Sequence, residues 1–394
     1  MILREKTILI LSPQSWGKMV LSKQHYAIEL ANRGNRVYFL NPPEVNNARV
    51  KAVDMDPSGI KNLFIIRHKI NFPYRIKFHA IRLFHFFMQF HIRKILRTIE
   101  HPIDIIWSFD LGNLYPFRFF TGVNIKIFHP VDEPLNQTAI DAEAGCTIIF
   151  SVTKEILEKY SFSQAPRFFI NHGLSSEFLQ KKSKSEQTGG ALQAGFSGNL
   201  TRNDIDHQIL LQIVKENSAI HFHFWGSYHI TQSNISGTND PVIAAFIKNL
   251  QENQNVSLHG PVGTSELAAA IQEMDLFLIC YDVQKDQSKG TNYHKIMEYL
   301  STGKVIISNN VTTYSKEPGL VQMVKERNNN HNLPGLFREI ISNLASYNTP
   351  ALQQQRRAFA EDNLYSKQLD RIESILSAPP QSTQPAGKSS LIEA

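Results

Sequence analysis

Lys295 and Glu298 stand three residues apart behind a polar, lysine-bearing loop, Asp282-Val-Gln-Lys-Asp-Gln-Ser-Lys-Gly290. The stretch that follows, Thr291-Asn-Tyr-His-Lys-Ile-Met-Glu-Tyr-Leu-Ser-Thr-Gly303, has helical spacing. Thr291 or Asn292 is expected to cap the helix, and Gly303 to supply the left-handed residue that ends it. A helix N-terminus, a preceding loop and a first-turn lysine together make an anion site. The same spacing puts Lys295 and Glu298 on one face, so they also read as an ion pair on a surface helix.

Two further groups carry possible chemistry. In Ala194-Gly-Phe-Ser-Gly-Asn-Leu200, Gly198 and Asn199 can bring backbone close to a phosphate, and Arg202 can supply charge. In Phe128-His-Pro-Val-Asp-Glu-Pro134, His129, Asp132 and Glu133 follow an apolar run, at the strand end where open α/β sheets hold ligands. Polar residues at strand ends also serve simply as caps. The alternating histidines of Ile220-His-Phe-His-Phe-Trp-Gly226 suit a strand with two unlike faces better than a metal site.

The elements that must position these groups are α/β units. Thr7–Leu11 reads as a buried strand, Ser12-Pro-Gln-Ser-Trp-Gly17 as its loop, residues 18–33 as a helix ending at Gly34, and Val37–Leu40 as the next strand. That loop has one glycine, and the second strand ends in Asn41-Pro42 with no ribose-binding acid, so a dinucleotide cofactor is disfavoured. Ile103–Trp107, Ile125–Phe128 and Thr147–Ser151 are further strands, and Phe168–Leu174 closes the first domain, residues 1–180. Residues 181–193 read as a linker. A second α/β domain, 194–345, contains Ala194–Leu200, Ile220–Gly226, Val256–Val262, a helix at 264–273, and the strands Leu276–Ile279 and Val305–Ile307. A region at 346–377 carries a late helix, 351–376, and the tail from 378 to 394 is expected to be disordered.

Asn292-Tyr-His-Lys-Ile-Met-Glu-Tyr-Leu-Ser-Thr-Gly-Lys-Val-Ile-Ile-Ser308 resembles the donor-binding helix of GT-B glycosyltransferases, above all the family-four-like bacterial enzymes, whose motif runs close to P-x-K-x-x-E-Y-L-a-x-G-K-P-V-V-S. The resemblance extends over roughly residues 1–376, most strongly over 194–310 and weakly over 45–125. It implies two Rossmann-like domains facing a cleft, with a C-terminal helix crossing back to the first. It implies that Glu298 grips the ribose of a nucleotide sugar and that the loop and helix end, with Thr291, Asn292 and Lys295, hold its diphosphate. Gly198, Asn199 and Arg202 fall in the family's first glycine loop of the donor domain, and Gly260, Pro261 and Val262 in the segment beside the nucleobase. Trp16 and Gly17 fall in the loop that faces donor phosphates and acceptor, and His129, Asp132 and Glu133 where relatives face the donor sugar. Two departures stand out: Val305 replaces the family's proline, and Gly290 stands where many relatives have the first glutamate of a pair.

Charge is unevenly placed. The formal charge is +6, yet no acid occurs between Asp56 and Glu100 while nine Lys/Arg do, so the basic character belongs to one segment. Within residues 74–99, Arg75, His79, Arg82, His85, Gln89, Arg93 and Arg97 recur at spacings of three and four among many aromatics. A basic amphipathic helix of this kind suits an anionic membrane surface, and equally a core helix with one solvated face. Nucleic acid is a weaker partner, since no reader motif accompanies the charge. Cys146 and Cys280 flank apolar runs and read as reduced thiols. The N-terminal apolar run is too short for a signal peptide and no run approaches a membrane span, so a cytoplasmic protein, peripheral at most, is expected.

These readings lead to a glycosyltransferase that moves a sugar from a UDP- or GDP-sugar to a hydroxyl of a saccharide or lipid-linked acceptor, in cell-envelope polysaccharide or glycolipid synthesis. The resemblance implies retention at the anomeric carbon, no cofactor and no metal, and the sequence offers no convincing Asp-x-Asp site. The rivals are a GT-B fold UDP-sugar 2-epimerase and a non-catalytic, membrane-bound sugar-nucleotide binding protein.

Overall fold

A computed structural model describes residues 2–17, 20–44, 53–179, 190–229, 240–286, 288–378 and 392–393. The chain divides into two compact units, Met1–Asn171 with Ser366–Ala394, and His172–Tyr365.

The first unit is built on eight strands: β1 (Thr7–Leu11), β2 (Arg36–Leu40), β3 (Val53–Pro57), β4 (Leu63–His68), β5 (Ile105–Ser108), β6 (Ile125–Phe128), β7 (Ile148–Ser151) and β8 (Arg167–Phe169). Their order is β8-β7-β6-β5-β1-β2-β4-β3, parallel except for the edge strand β3, which runs against β4. The pair Ile392–Glu393 adds to the β8 edge. Every residue of β1 is buried, as a parallel strand covered on both faces requires. The order reverses between β1 and β5, which places the helix Ser22–Asn32, directly after β1, beside a switch point.

The second unit holds β9 (Leu192–Ser197), β10 (Ile220–Trp225), β11 (Val256–Gly260), β12 (Leu276–Ile279), β13 (Val305–Ser308) and β14 (Gln322–Met323). The order β11-β10-β9-β12-β13-β14 is wholly parallel and is the doubly wound Rossmann order. Its switch point lies between β9 and β12, so the loops after these strands, beginning at Gly198 and Cys280, open onto one crevice.

Several boundaries differ from the sequence reading. The span 181–193 is not all linker: Leu192 and Gln193 already belong to β9, where Gln193 pairs with His221, while residues 180–189 lie outside the described residues. The late helix is two, Pro350–Asp362 and Tyr365–Ser377; between them Leu364 leaves the helix to bridge with Leu174. From Ser366 the second of these belongs to the first unit, where Arg33 pairs with Asp370 and Glu373. The expected disordered tail lies largely outside the described residues, although its Ile392–Glu393 pair with Phe168–Phe169.

The basic segment is also two helices, Ile76–His79 and Ile81–Leu96, broken at Ala80, whose φ is −146°. Phe84, Met88, Ile92 and Ile95 face the core. His85 leaves the expected cationic stripe: it is buried, its Nε2 is 2.8 Å from the Asn113 carbonyl and its Nδ1 accepts from Arg118 at 2.9 Å. Arg75, Arg82, Arg93 and Arg97 are exposed. So are Phe78, Leu83, Phe86, Phe87 and Phe90, the first at 69%. The outer face is therefore not a plain charged stripe but cations set among exposed aromatic rings.

Candidate active site

The second unit brings three glycines together at the ends of its first three strands. Gly198 donates its N–H to the Trp225 carbonyl at 2.7 Å, and Gly226 donates to Gly260 at 2.8 Å. The backbones are so close that a Cβ on Gly226 would stand 2.0 Å from the Gly198 carbonyl oxygen. Glycine is required there for close approach. The result is a backbone shelf at the carboxyl ends of β9, β10 and β11. Gly226 was not among the sequence candidates; its signal is its place directly after the strand residue Trp225.

Lys295 plugs the rear of this shelf. It is 4% exposed, donates to the Ser197 carbonyl and to the Tyr281 hydroxyl at 2.6 Å, and its ammonium stands 5.0 Å from the centroid of the Phe196 ring. Burial pushes its pKa down to about 8, against the opposing pull of Glu298. A Cβ on Gly198 would come within 2.7 Å of the same ammonium, so Gly198 leaves the room that the lysine occupies. Tyr281, Asp204 and Asp286 are the residues that sequence reasoning passed over here. Asp204, 2% exposed, grips the Arg202 guanidinium through Nε at 2.8 and 3.1 Å and through Nη2, which raises the arginine pKa and fixes its charge. Asp286 orders the loop ahead of the helix by accepting from Ser288 N–H, Gly290 N–H and the Tyr293 hydroxyl at 2.8 to 3.0 Å.

The helix itself begins later than expected, at Lys295 and not after a Thr291 or Asn292 cap. Thr291 turns its hydroxyl to the Ser288 carbonyl at 2.7 Å, and Thr291 and Asn292 are buried in the loop. Gly303 ends the helix at φ +79° as expected. Lys295 and Glu298 do not form the surface ion pair that their spacing allowed. Glu298 instead lies 3.9 Å from His294 Nε2, and burial raises its pKa to about 7 although Lys295 pulls it down. Asn199 is buried and accepts from Thr201 N–H and Oγ1 at 3.0 and 2.7 Å; Pro261 is exposed and Val262 half-buried. His221 bonds to Ser257, and His223 to Gln193 and His259.

The first-unit candidates separate. His129 is fully buried at the end of β6, stacked 5.0 Å from Phe109 and 6.1 Å from Trp107, whose indole N–H reaches its Nδ1 at 3.3 Å. Glu133 is buried and paired with Lys159. Asp132 alone of the three is exposed, and its carboxylate is the charge that acts on the buried Lys23. Trp16 donates its backbone N–H to the Asn41 side-chain oxygen at 2.9 Å and sets its ring edge-on to Phe39, with Gly17 beside it. Among the described residues no helix is long and apolar enough to cross a membrane.

No protein-family model and no curated protein matches the chain. Solved structures do. Sucrose-phosphate synthase from Thermosynechococcus elongatus is similar over 94% of this chain and 99% of its own, with a TM-score of 0.69 at 11% identity. HepE from Anabaena, in complex with UDP and glucose, is similar over 95% and 100%, with a TM-score of 0.65 at 14% identity. A UDP-forming α,α-trehalose-phosphate synthase from Burkholderia xenovorans is similar over 94% and 98%, with a TM-score of 0.63 at 11% identity. These chains share the GT-B architecture, and the fold of this protein is GT-B.

Proposed function

We propose that this protein is a glycosyltransferase that takes a sugar from a UDP- or GDP-sugar and passes it to a hydroxyl acceptor. The observation that carries the reading is the corner where the glycine shelf, Arg202, Lys295 and Glu298 meet at the switch point of the second unit. Two cations beside a backbone left uncovered at its glycines suit a diphosphate. An ionised carboxylate has two oxygens, so it can accept from both hydroxyls of a ribose in charge-assisted bonds. Fold neighbours whose names speak of UDP and of phosphorylated disaccharides support it. Stabilising the departing diphosphate is then the main catalytic lever, with positioning of the acceptor second. Transfer with retention and without a metal follows the family resemblance and is part of the proposal. Asp132, the exposed acid of the β6 loop, is the first-unit candidate for a catalytic role.

The second part of the proposal concerns place. Phe78, Leu83, Phe86, Phe87 and Phe90 are exposed beside Arg82 and Arg93, with the Arg93 guanidinium 5.6 Å from the Phe90 ring. Aromatics that enter the acyl boundary beside arginines that meet headgroups suit an anionic bilayer. A cytoplasmic enzyme docked there would serve lipid-linked or envelope saccharide acceptors. Incubating the purified protein with labelled UDP- and GDP-sugars, with and without lipid acceptor, tests the reading against its rivals. Transfer or slow donor hydrolysis supports it; inversion at C2 indicates the epimerase; binding without turnover indicates a sensor.

A further inference from the structure

The second unit holds a cavity of about 410 Å³, lined by the start of the helix His207–Glu216, the loop after β12 and residues 328–331. That volume falls within the ~300–1,000 Å³ of small-molecule sites. The cavity is not the nucleotide corner, for Gly198, Arg202, Lys295 and Glu298 take no part in its lining. Tyr281 stands between the two: its hydroxyl accepts from Lys295, and its carbonyl accepts from the Asn330 side chain at 2.9 Å. Charge decides which class of molecule fits. Two carboxylates line the cavity, Asp206 and Asp282, and one ammonium, Lys285, which Asp282 already holds at 2.9 Å. Burial pushes the His207 pKa down, so that ring is neutral at neutral pH. A phosphate or carboxylate ligand would therefore meet like charge. What the lining offers instead is hydrogen-bonding groups of both senses. Asn328 and Asn329 are exposed and spend their side-chain oxygens on Gln284 Nε2 and the His331 N–H, both at 3.1 Å. Among the described residues nothing accepts from their amide nitrogens, which leaves these free to donate. Asp206 accepts from the Ile209 N–H and Asn330, and Asp282 from the Gln284 N–H and Lys285, so each carboxylate oxygen keeps a lone pair. Ile209 and Val242, the latter 66% exposed, add apolar surface. Free donors, free acceptors and aliphatic surface, without an excess of cations, match a molecule whose hydroxyls both give and take and whose ring carbons are apolar.

We propose that this cavity is a separate carbohydrate site, which holds an uncharged saccharide unit apart from the nucleotide corner. The site goes beyond the transferase reading and does not rest on it, since a protein that only binds sugars would use it in the same way. In a transferase, a glycan chain anchored there would raise its own effective concentration at the enzyme.

The full chain is labelled with 15N-asparagine, and the side-chain amide resonances of Asn328 and Asn329, assigned by their loss in Asn328→Ala and Asn329→Ala, are followed. Maltose, cellobiose, lactose and sucrose are titrated in turn, then glucose and glucose 6-phosphate as a pair that differs in charge. The expected result is a saturable shift of both amides with at least one disaccharide, which excess UDP does not reverse. Glucose 6-phosphate should bind no better than glucose. Replacing both asparagines with alanine should weaken disaccharide binding by roughly tenfold, the worth of two neutral hydrogen bonds, and leave the melting temperature unchanged, since both side chains are exposed. Amides unmoved by all four disaccharides, equal affinity in the double variant, or glucose 6-phosphate bound more tightly than glucose overturns the inference. A saccharide bound at these amides in a protein that transfers no sugar upholds the cavity site and removes the transferase reading.

Discussion

The ammonium of Lys295 donates to the hydroxyl of Tyr281 at 2.6 Å, across the crevice at the switch point of the second unit. The lysine is thus a fixture of the site before any ligand arrives, held by a tyrosine and a backbone carbonyl and not by Glu298. An ammonium has three donors, and the two bonds to Tyr281 and Ser197 leave one for a diphosphate oxygen. Lys295→Met should weaken UDP binding by roughly tenfold and uridine binding far less, because only the diphosphate meets the cation. Titration calorimetry with both ligands checks this, and equal losses for the two would assign the lysine to folding alone.

Protonation adds a second forecast. Burial holds Lys23 and Lys295 near about 8, below the ordinary lysine value of 10.5. Between those limits the unfolded chain binds more protons than the native one, so stability rises with pH across that window. The charged lysines cost stability below it. Denaturant midpoints measured from pH 7.5 to 9.5 should increase in the wild type, and each Lys→Met variant should flatten the slope. A wild-type slope kept in both variants would contradict the burial of the two ammonium groups.

Glu298 responds in the opposite sense. Burial raises its pKa to about 7, so it is partly protonated at neutral pH and ionises as pH rises. If the carboxylate accepts from a ribose diol, nucleoside affinity should strengthen between pH 6 and 8, and Glu298→Gln should bind more weakly with that dependence gone. Affinity in the wild type that falls over the same interval would exclude the diol contact.

Gly226 tests the shelf. A methyl group there would meet a carbonyl oxygen at 2.0 Å, on a backbone with φ +135°. Gly226→Ala should cost a few kcal/mol and weaken UDP binding, whereas Gly263→Ala, whose Cβ meets nothing within 4 Å, should do neither. Thermal melts with and without UDP give both readouts.

The aromatic outer face gives a membrane forecast. Replacing Phe86 and Phe90 with Ser should abolish sedimentation with anionic vesicles without lowering the melting temperature, since both rings are more than half exposed. Replacing Arg82 and Arg93 with Gln should leave weaker, salt-insensitive binding. Vesicle binding unchanged in both variants would make the face a solvated one.

Much of the architecture was legible because parallel strands buried on both faces announce themselves as short apolar runs. Thr7–Leu11, Ile125–Phe128 and Leu276–Ile279 appear where their sequences place them. Three of the numbered strands escaped: Leu63–His68, whose run is interrupted by Arg67, the antiparallel edge strand Val53–Pro57, whose alternating acids carry no buried-strand signal, and the edge strand Gln322–Met323, only two residues long. The site was legible only at its glycines and its helix. Nothing in local spacing says that Lys295 turns inward to Tyr281 while Glu298 stays near His294, because that choice is made by the loop backbones it fills. His129 shows the same limit. Its position after a strand looks catalytic, yet rings from Tyr26, Trp107 and Phe109 enclose it. Lys23 gave no signal at all, since a lysine early in an amphipathic helix is ordinarily solvated.

The central claim is that the second unit binds a nucleoside diphosphate through Glu298 and its neighbours, and UDP and GDP titrated into wild type and Glu298→Ala test it most directly. The account predicts one nucleotide bound by the wild type, and a roughly ten- to hundredfold weaker association in the variant, the worth of a charge-assisted contact to the ribose. A change under about threefold in a variant that still folds, against the ten- to hundredfold worth of that contact, would contradict it.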